Sequence, residues 1–431
     1  MPRFDIPGVA DILTGIGGRT PETVLNRVYS FQPTVTSIFG NHTIKFGADY
    51  RQYLEESAPP FDANGRYRFD TSFTRLNDLS STAAPFGQEL AAFLLGTVRN
   101  NTTIQRNTDR RNKSVYHGVF FQDDWRVNSK LTLNLGIRYE YERPNEDEFN
   151  RNIRLFDTTS SNPIEAAARA AYTVNFNANP ANFPISPANW RVSGGPVFAS
   201  DENPGFWESD FNNFQPRLGF AYQINSKSVI RGGYAIYHAP LGIDSLNATG
   251  FSVDTTAVPT NNNGISFVAN LTNPFPTGIV QPFGNSRGLA TGIGATLGGA
   301  VNLINNTIDR RVNPLNLGER KNPRIQRFQV SFQQELFSNF VVEAAYIASR
   351  GNDLTTVIDI NAIPRQYLST SAANDATVQS FLQTNVANPF RNLPEAAGTG
   401  FFSPSTLQRQ QLLRPFPQFQ SVNVFEDDGK N

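Results

Sequence analysis

The chain has 431 residues, with 37 basic and 37 acidic side chains, so it carries no net charge that would attract nucleic acid. It contains no cysteine, which excludes a disulfide scaffold, a thiolate metal site and a cysteine nucleophile. Its three histidines (His42, His117 and His238) are far apart in the sequence, so neither a metal site nor a cofactor is predicted.

The first strongly patterned segment is HTIKFGADYRQY, residues 42–53. Ile44, Phe46, Ala48 and Tyr50 alternate with polar or small residues, and a period of two predicts a strand with one apolar and one polar face. A short Gly40-Asn41 turn precedes it, so we expect a hairpin near residues 28–53.

The clearest segment is LTLNLGIRYEYE, residues 131–142, which predicts the second strand of a hairpin near 114–143. Twelve alternating residues are long for a soluble strand. The ten steps from Leu131 to Tyr141 extend roughly 33 Å. A tilt of about 45° reduces this to about 24 Å along the axis, close to the apolar band of an outer-membrane barrel.

Two later hairpins, near 215–238 and 324–349, repeat this pattern. Two sets of candidate residues follow from the alternation. Lumen-facing positions are predicted for Arg138, Glu140, Arg217, Gln223, Arg231, Gln329, Gln333 and Glu335. Lipid-facing positions are predicted for Leu131, Leu133, Leu135, Ile137, Tyr139, Phe328, Val330 and Phe332.

The connections alternate between short and long. Tight turns are predicted at Gly40-Asn41, Asn128-Ser129-Lys130, Asn225-Ser226-Lys227 and Ser338-Asn339, and long polar loops at 54–113, 144–214, 239–323 and 350–420. A compact soluble domain rarely carries so many long loops, whereas an outer-membrane barrel combines short periplasmic turns with long extracellular loops. A soluble sandwich, with core and solvent faces in place of lipid and lumen, remains the alternative. Residues 164–172 and 89–96 are also compatible with short helices on these loops.

Nine motifs occur in order along the chain: GNHTIKFGADYR (40–51), GRYRFDTSFT (65–74), ELAAFLLGTV (89–98), FFQDDWRVNSKLTLNLGIRYEYERP (120–144), QPRLGFAYQINSKSVIRGGYAIYH (215–238), NPFPTGI (273–279), NPRIQRFQVSFQQEL (322–336), AAYIASRGNDL (344–354) and LLRPFPQFQSV (412–422). Together they resemble the barrel of TonB-dependent outer-membrane transporters, specifically the Oar-like branch with a carboxypeptidase-regulatory-like module. The resemblance covers most of the chain.

A complete member of that family would also have a signal peptide, a plug domain and closing strands. We therefore expect residues 1–431 to form a partial TonB-dependent-receptor barrel domain. The predicted fold is an all-β, antiparallel, up-and-down transmembrane β-barrel that is incomplete. It should form an open curved sheet of about 8–10 strands with long irregular extracellular loops.

Asp123 and Asp124 are adjacent, and two neighbouring carboxylates raise the hypothesis of a catalytic acid pair. Neighbouring residues of a strand point to opposite faces, so both cannot reach one substrate atom. The register that pairs Val127 with Leu131 is preferred, although the sequence does not settle it. It places Asp124 in the lumen and turns Asp123 outward, at the level of the headgroups.

The resemblance implies uptake or surface binding of a large solute at the bacterial outer membrane, without enzymatic activity. The implied partners are outer-membrane lipid, an unknown large solute, and the TonB complex through a plug domain that this chain lacks; no nucleic acid is expected. The alternative is a soluble all-β protein that binds glycans or acts as an adhesin.

Overall fold

The computed structural model describes residues 2–7, 23–58, 62–83, 86–207, 209–241, 249–297, 307–308, 320–337, 340–397 and 399–430. The turn predicted at Ser338-Asn339 lies outside these ranges, as do parts of all four predicted long loops. Strands dominate the described residues, which confirms the all-β prediction.

The strands, in chain order, are β1 (Arg3–Asp5), β2 (Thr23–Phe31), β3 (Thr34–Phe39), β4 (His42–Ala58), β5 (Arg66–Arg68), β6 (Thr103–Arg106), β7 (Arg110–Arg126), β8 (Leu131–Glu142), β9 (Glu146–Asp147), β10 (Ile153–Ser161), β11 (Ser193–Phe198), β12 (Phe214–Asn225), β13 (Ser228–His238), β14 (Val253–Thr256), β15 (Thr296–Leu297), β16 (Thr307–Ile308), β17 (Arg324–Phe337), β18 (Phe340–Asn352), β19 (Leu354–Asp359), β20 (Asn385–Ala387), β21 (Thr406–Gln408) and β22 (Ser421–Gly429). The helices are α1 (Gln88–Leu95), α2 (Glu165–Ala178), α3 (Ala376–Gln383) and α4 (Arg409–Leu412). Helices α1 and α2 confirm the two short helices considered from the sequence.

Ten strands form one large sheet. Its order is β18-β17-β13-β12-β8-β7-β4-β2, with β3 paired to β4 and β9 paired to β7. The neighbours from β7 to β18 are all antiparallel. Across the described residues the sheet is not closed, and β2 and β18 lie at its edges. The predicted strand number and the open sheet are therefore confirmed.

Two strands, β2 and β3, lie along the same partner and are separated only by Gln32 and Pro33. Proline lacks the N–H that a continuous strand would donate, so the strand is interrupted there. Pro33 still accepts a hydrogen bond from the Ala48 N–H (3.1 Å). A Cβ on Gly47 would lie 2.5 Å from the Pro33 oxygen and 2.8 Å from the Phe120 ring, so only glycine fits beside this interruption.

The chain divides into two compact units. The first contains Met1–Leu25, Glu56–Arg110 and Ala248–Arg287. Its four-stranded sheet has the order β1-β5-β6-β14, in which β1 runs parallel to β5. Its hydrophobic core consists of Ile6, Phe69, Ala92, Val98, Ile104, Ala257, Ala269 and Phe275. Two segments that the sequence marks only as long polar loops thus share a core.

The second unit contains Asn26–Glu55, Arg111–Asn247 and Gly288–Asn431, and therefore most of the large sheet. Its long connections also share a core, here called the loop core, built from Phe156, Ile164, Ala168, Tyr172, Phe183, Trp190, Val192, Ala290, Ile293, Leu297, Val386, Phe390, Ala396, Phe401, Leu412, Phe416, Phe419, Val422 and Val424. Trp190 stacks on Tyr172 with 4.1 Å between ring centroids and donates its indole N–H to the Leu412 oxygen (3.0 Å). Burying such aromatic rings stabilises the connections as one body.

A buried ion pair lies where β22 meets the segment that leads into β17. Arg320 Nε donates to Asp427 Oδ2 at 2.8 Å, and the two side chains are 3% and 0% exposed. The carboxylate also accepts the Lys321 N–H (2.9 Å) and the Thr355 hydroxyl (2.6 Å). The Arg320 guanidinium lies 4.9 Å from the Phe425 ring centroid. The Asp427 carboxylate thus has an ionic partner and two further hydrogen-bond donors. These contacts offset the free-energy cost of removing the two charges from water.

We predict that Asp427→Asn lowers the free energy of unfolding by about 3 kcal/mol, because it leaves the Arg320 charge buried and uncompensated. Urea unfolding of the detergent-solubilised protein measures this. The matched control is Glu148→Gln, which removes an ion pair to Arg111 whose side chains are 52% and 55% exposed. Exposed pairs contribute roughly 0–1 kcal/mol. Equal losses in the two variants would contradict the prediction.

Asp157, in β10, generates a pH prediction. Burial raises the pKa of this carboxyl, but hydrogen bonds from the Ser160 side chain and from the Ser160 and Thr159 N–H groups outweigh burial, so the pKa is lowered. A lowered pKa in the folded state means that the carboxylate stabilises the protein above its unfolded pKa. That contribution is lost as the pH falls through the folded value.

Asp157→Asn is therefore expected to be less stable than the wild type at neutral pH, with the difference vanishing below the lowered pKa. Thermal unfolding across an acid pH series measures it. A difference that stays constant with pH would be inconsistent with this account.

Candidate functional site

The register of the large sheet sorts the predicted site residues onto two faces. Directly opposite residues of neighbouring strands share a face, and the face alternates along each strand. One surface, here called the polar face, carries Arg138, Glu140, Arg217, Gln223, Arg231, Gln329, Gln333 and Glu335. The other, here called the apolar face, carries Leu131, Leu133, Leu135, Ile137, Tyr139, Phe328, Val330 and Phe332. The register thus separates the sixteen residues into two sets, one on each face. The assignment of one face to the lumen and the other to lipid stays a prediction.

The hairpin of β7 and β8 places Asp123 and Asp124 on opposite faces. Trp125 pairs with Leu133 and Asp124 with Asn134, as the preferred register predicts. Asp124 lies on the polar face, where its Oδ1 accepts hydrogen bonds from Asn134 (2.6 Å) and Gln122 (3.1 Å). The two carboxylates do not form a catalytic pair.

Asp123 lies on the apolar face, and the structure gives it a partner there. Its Oδ2 is 2.7 Å from His42 Nδ1 on β4. The His42 ring in turn stacks on Trp125, with 5.2 Å between centroids and 15° between planes. A hydrogen-bonded partner reduces the free-energy cost of a carboxylate on an apolar surface.

At one part of the polar face, charged residues neutralise one another. Asp49 accepts hydrogen bonds from Arg51 (2.9 and 2.8 Å) and from Arg138 (3.1 Å). Arg138 also donates to the Tyr116 hydroxyl (2.8 Å) and to Glu140. The Asp49 and Arg138 side chains are only 8% and 17% exposed. These contacts form a hydrogen-bonded polar cluster in which each charged group has a partner.

Farther along the same face, β8, β12, β13, β17 and β18 form the floor of a groove of about 870 Å³. Small residues form much of that floor: Gly136, Gly219, Ala221, Gly233, Ala235 and Ala345. Three exposed arginines, Arg217, Arg231 and Arg327, also line the groove, together with one carboxylate, Glu343. The small residues leave room above the sheet that long side chains would otherwise fill.

Arg327 and Glu343 are absent from the residues singled out in the sequence. Arg327 precedes Gln329 by two positions, so the alternation that identifies Gln329 also places Arg327 on the polar face. Glu343 pairs with Gln333, so its place on the polar face follows only from the register of β17 and β18. The first residue was predictable from the pattern, and the second required the pairing.

The described ranges contain no group of three or more His, Asp or Glu side chains placed to ligate a metal ion. No helix within those ranges is long and apolar enough to cross a membrane.

Comparison with solved structures finds outer-membrane proteins. The chain is similar to the outer-membrane transporter YddB from Escherichia coli at 11% identity and a TM-score of 0.38, covering 95% of this chain and 29% of that one. For the alcaligin outer-membrane receptor FauA from Bordetella pertussis the identity is 8% and the TM-score 0.30, covering 80% and 32%. For the siderophore receptor PiuA from Acinetobacter baumannii the identity is 11% and the TM-score 0.25, covering 76% of this chain and 39% of that one. The chain therefore spans roughly a third of the length of these proteins.

Among curated proteins, no sequence matches. A family model described as an outer membrane beta barrel domain matches residues 1–431. Because that model spans the whole chain, this protein belongs to the outer-membrane β-barrel domain family, and its location is the bacterial outer membrane.

Proposed function

We propose that residues 1–431 are part of the barrel of an Oar-like TonB-dependent receptor that takes up or binds a large solute. The observation that carries this proposal is the two-faced sheet: eight predicted polar residues share one surface and eight predicted apolar residues share the other. Such a sheet suits a barrel wall with lipid on one side and water on the other. The ordered sequence motifs support the Oar-like assignment.

In this proposal the polar face lines the lumen and the apolar face meets lipid. Leu135, Ile137, Phe328 and Val330 are all exposed, which is costly in water and favourable against hydrocarbon chains. The four hairpins near 28–53, 114–143, 215–238 and 324–349 supply the wall. The long segments between them lie outside the bilayer, on the extracellular side.

The proposed mechanism involves binding and passage rather than catalysis. The outer segments capture the solute, and the polar wall supplies a hydrated path. TonB, acting through a plug domain outside these residues, opens that path. A solute that is only captured and released requires no covalent chemistry from Asp123 or Asp124, whose side chains lie on opposite faces.

TonB coupling is tested with the full-length protein in outer membranes. We expect the purified periplasmic domain of TonB to be retained by the immobilised full-length protein. The matched control is the same protein with its plug domain deleted, which should not retain TonB. Failure of the full-length protein to retain TonB would contradict the TonB-dependent assignment while leaving the barrel family intact.

The face assignment predicts the reactivity of neighbouring cysteines. The 431 residues contain no cysteine, so single cysteines report without background from this part of the chain. Gln329 and Val330 are adjacent in β17 and lie on opposite faces. In intact outer membranes, Gln329→Cys should react with a charged maleimide and Val330→Cys should react only after detergent is added. The reverse order of reactivity would mean that the two faces are exchanged.

The contact between His42 and Asp123 also yields a prediction. His42→Ala should lower the free energy of unfolding by about 1–3 kcal/mol, because the Asp123 carboxylate loses its partner on the apolar face. Adding Asp123→Asn should restore part of the loss, since the unpaired charge is then gone. Urea titrations of the protein in lipid vesicles measure this cycle. Strictly additive effects would show that the two side chains are not coupled.

A further inference from the structure

The groove on the polar face carries an excess of positive charge. The described residues that line it include Arg217, Arg231 and Arg327 but only one carboxylate, Glu343. For the portion of the chain that the structure describes, none of the three guanidinium groups has a hydrogen bond or an ion pair, although Arg217 lies 5.1 Å from the Tyr237 ring centroid. This differs from the cluster around Asp49, where Arg51 and Arg138 are both paired.

The register places two of these arginines in one row across the sheet. Arg217 pairs with Ala235, and Ala235 pairs with Arg327, so the two arginines lie on alternate strands. At about 4.8 Å per strand their Cα atoms are roughly 10 Å apart. Two guanidinium groups at that separation, on either side of an alanine, are close enough for one anionic ligand to contact both. The planar guanidinium group of arginine can also donate two parallel hydrogen bonds to a carboxylate or a phosphate group.

The third arginine extends this charge along the wall. Arg231 pairs with Ala221 and Ser331, four residues along the strands from Arg217 and Arg327. Four steps correspond to roughly 13 Å, on the side of the short turn between β12 and β13. The three positive charges therefore extend along the strand direction, from the row of Arg217 and Arg327 toward the turn between β12 and β13.

We propose that this groove is a binding site for a polyanionic solute, one that carries two or more carboxylate or phosphate groups. Arg217 and Arg327 hold one anionic group between them, and Arg231 receives a second group closer to the turns. The small residues of the floor give the ligand its space. This inference rests on the proposed function, because it requires the polar face to line a water-filled lumen, where positive charge attracts anions.

The test uses the full-length protein purified in detergent, with citrate and tripolyphosphate as probes in separate calorimetric titrations at low ionic strength. The wild type should bind at least one probe, with an affinity that falls as salt is added. Arg217→Gln combined with Arg327→Gln should weaken binding about tenfold or more, since two charge-assisted contacts are lost. Arg231→Gln alone should weaken it less.

The matched control is Arg350→Gln, which removes the same charge from β18 on the apolar face, where Arg350 pairs with Gln326. The affinity of the Arg350→Gln variant for the probe should stay within about twofold of the wild-type value, because the proposed site is on the other side of the sheet. Binding of citrate alone assigns the site to carboxylates, and binding of tripolyphosphate alone assigns it to phosphates. Binding of neither probe, or an equal loss in the Arg350→Gln control, overturns the inference.

The cysteine experiment separates the two ways in which this inference can fail. If Gln329→Cys does not react from water, the lumen assignment fails and the proposed site fails with it. If Gln329→Cys reacts and neither anion binds, only the anion site is wrong.

Discussion

The pairing register of the large sheet is the constraint on which the other features depend. In an antiparallel ladder, a shift of one residue moves every side chain of a strand to the other face. The pairing of Trp125 with Leu133 in the first long hairpin is continued by Leu133 with Phe220 in the next. One consistent register across six strands therefore places most ionic residues on one face and most large apolar residues on the other. Both the polar cluster and the groove exist only because this separation holds.

The polar face carries charge in two physical states. Around Asp49, opposite charges are close enough to cancel, and the side chains are largely shielded from water. Around Arg217 and Arg327 the charges are exposed, and no carboxylate among the described residues forms an ion pair with them. The first arrangement fixes the spacing of β4, β7 and β8, whereas the second leaves an electrostatic field directed into open space. One surface thus combines a structural part and a part available for binding.

The hairpins and their faces were predictable from sequence because alternation is a local property that each strand displays by itself. The contact between Asp123 and His42 was not, since it joins residues 81 positions apart whose proximity depends on the neighbour of β7. The pairing of Arg138 with Asp49 was hidden for the same reason. The loop core was missed because its aromatic residues, such as Trp190 and Phe390, are scattered through polar segments without a period.

The loop core also bears on how this protein diversifies. Loops that extend singly from a barrel accept insertions and substitutions almost independently, since few contacts constrain them. Here Trp190 and Tyr172 belong to the same buried core as Leu412 and Phe419, which lie more than two hundred positions later. A change of volume in one segment must therefore be matched in another. Sequence drift among related proteins should concentrate on the outer positions of these segments, with co-variation confined to the buried aromatic residues.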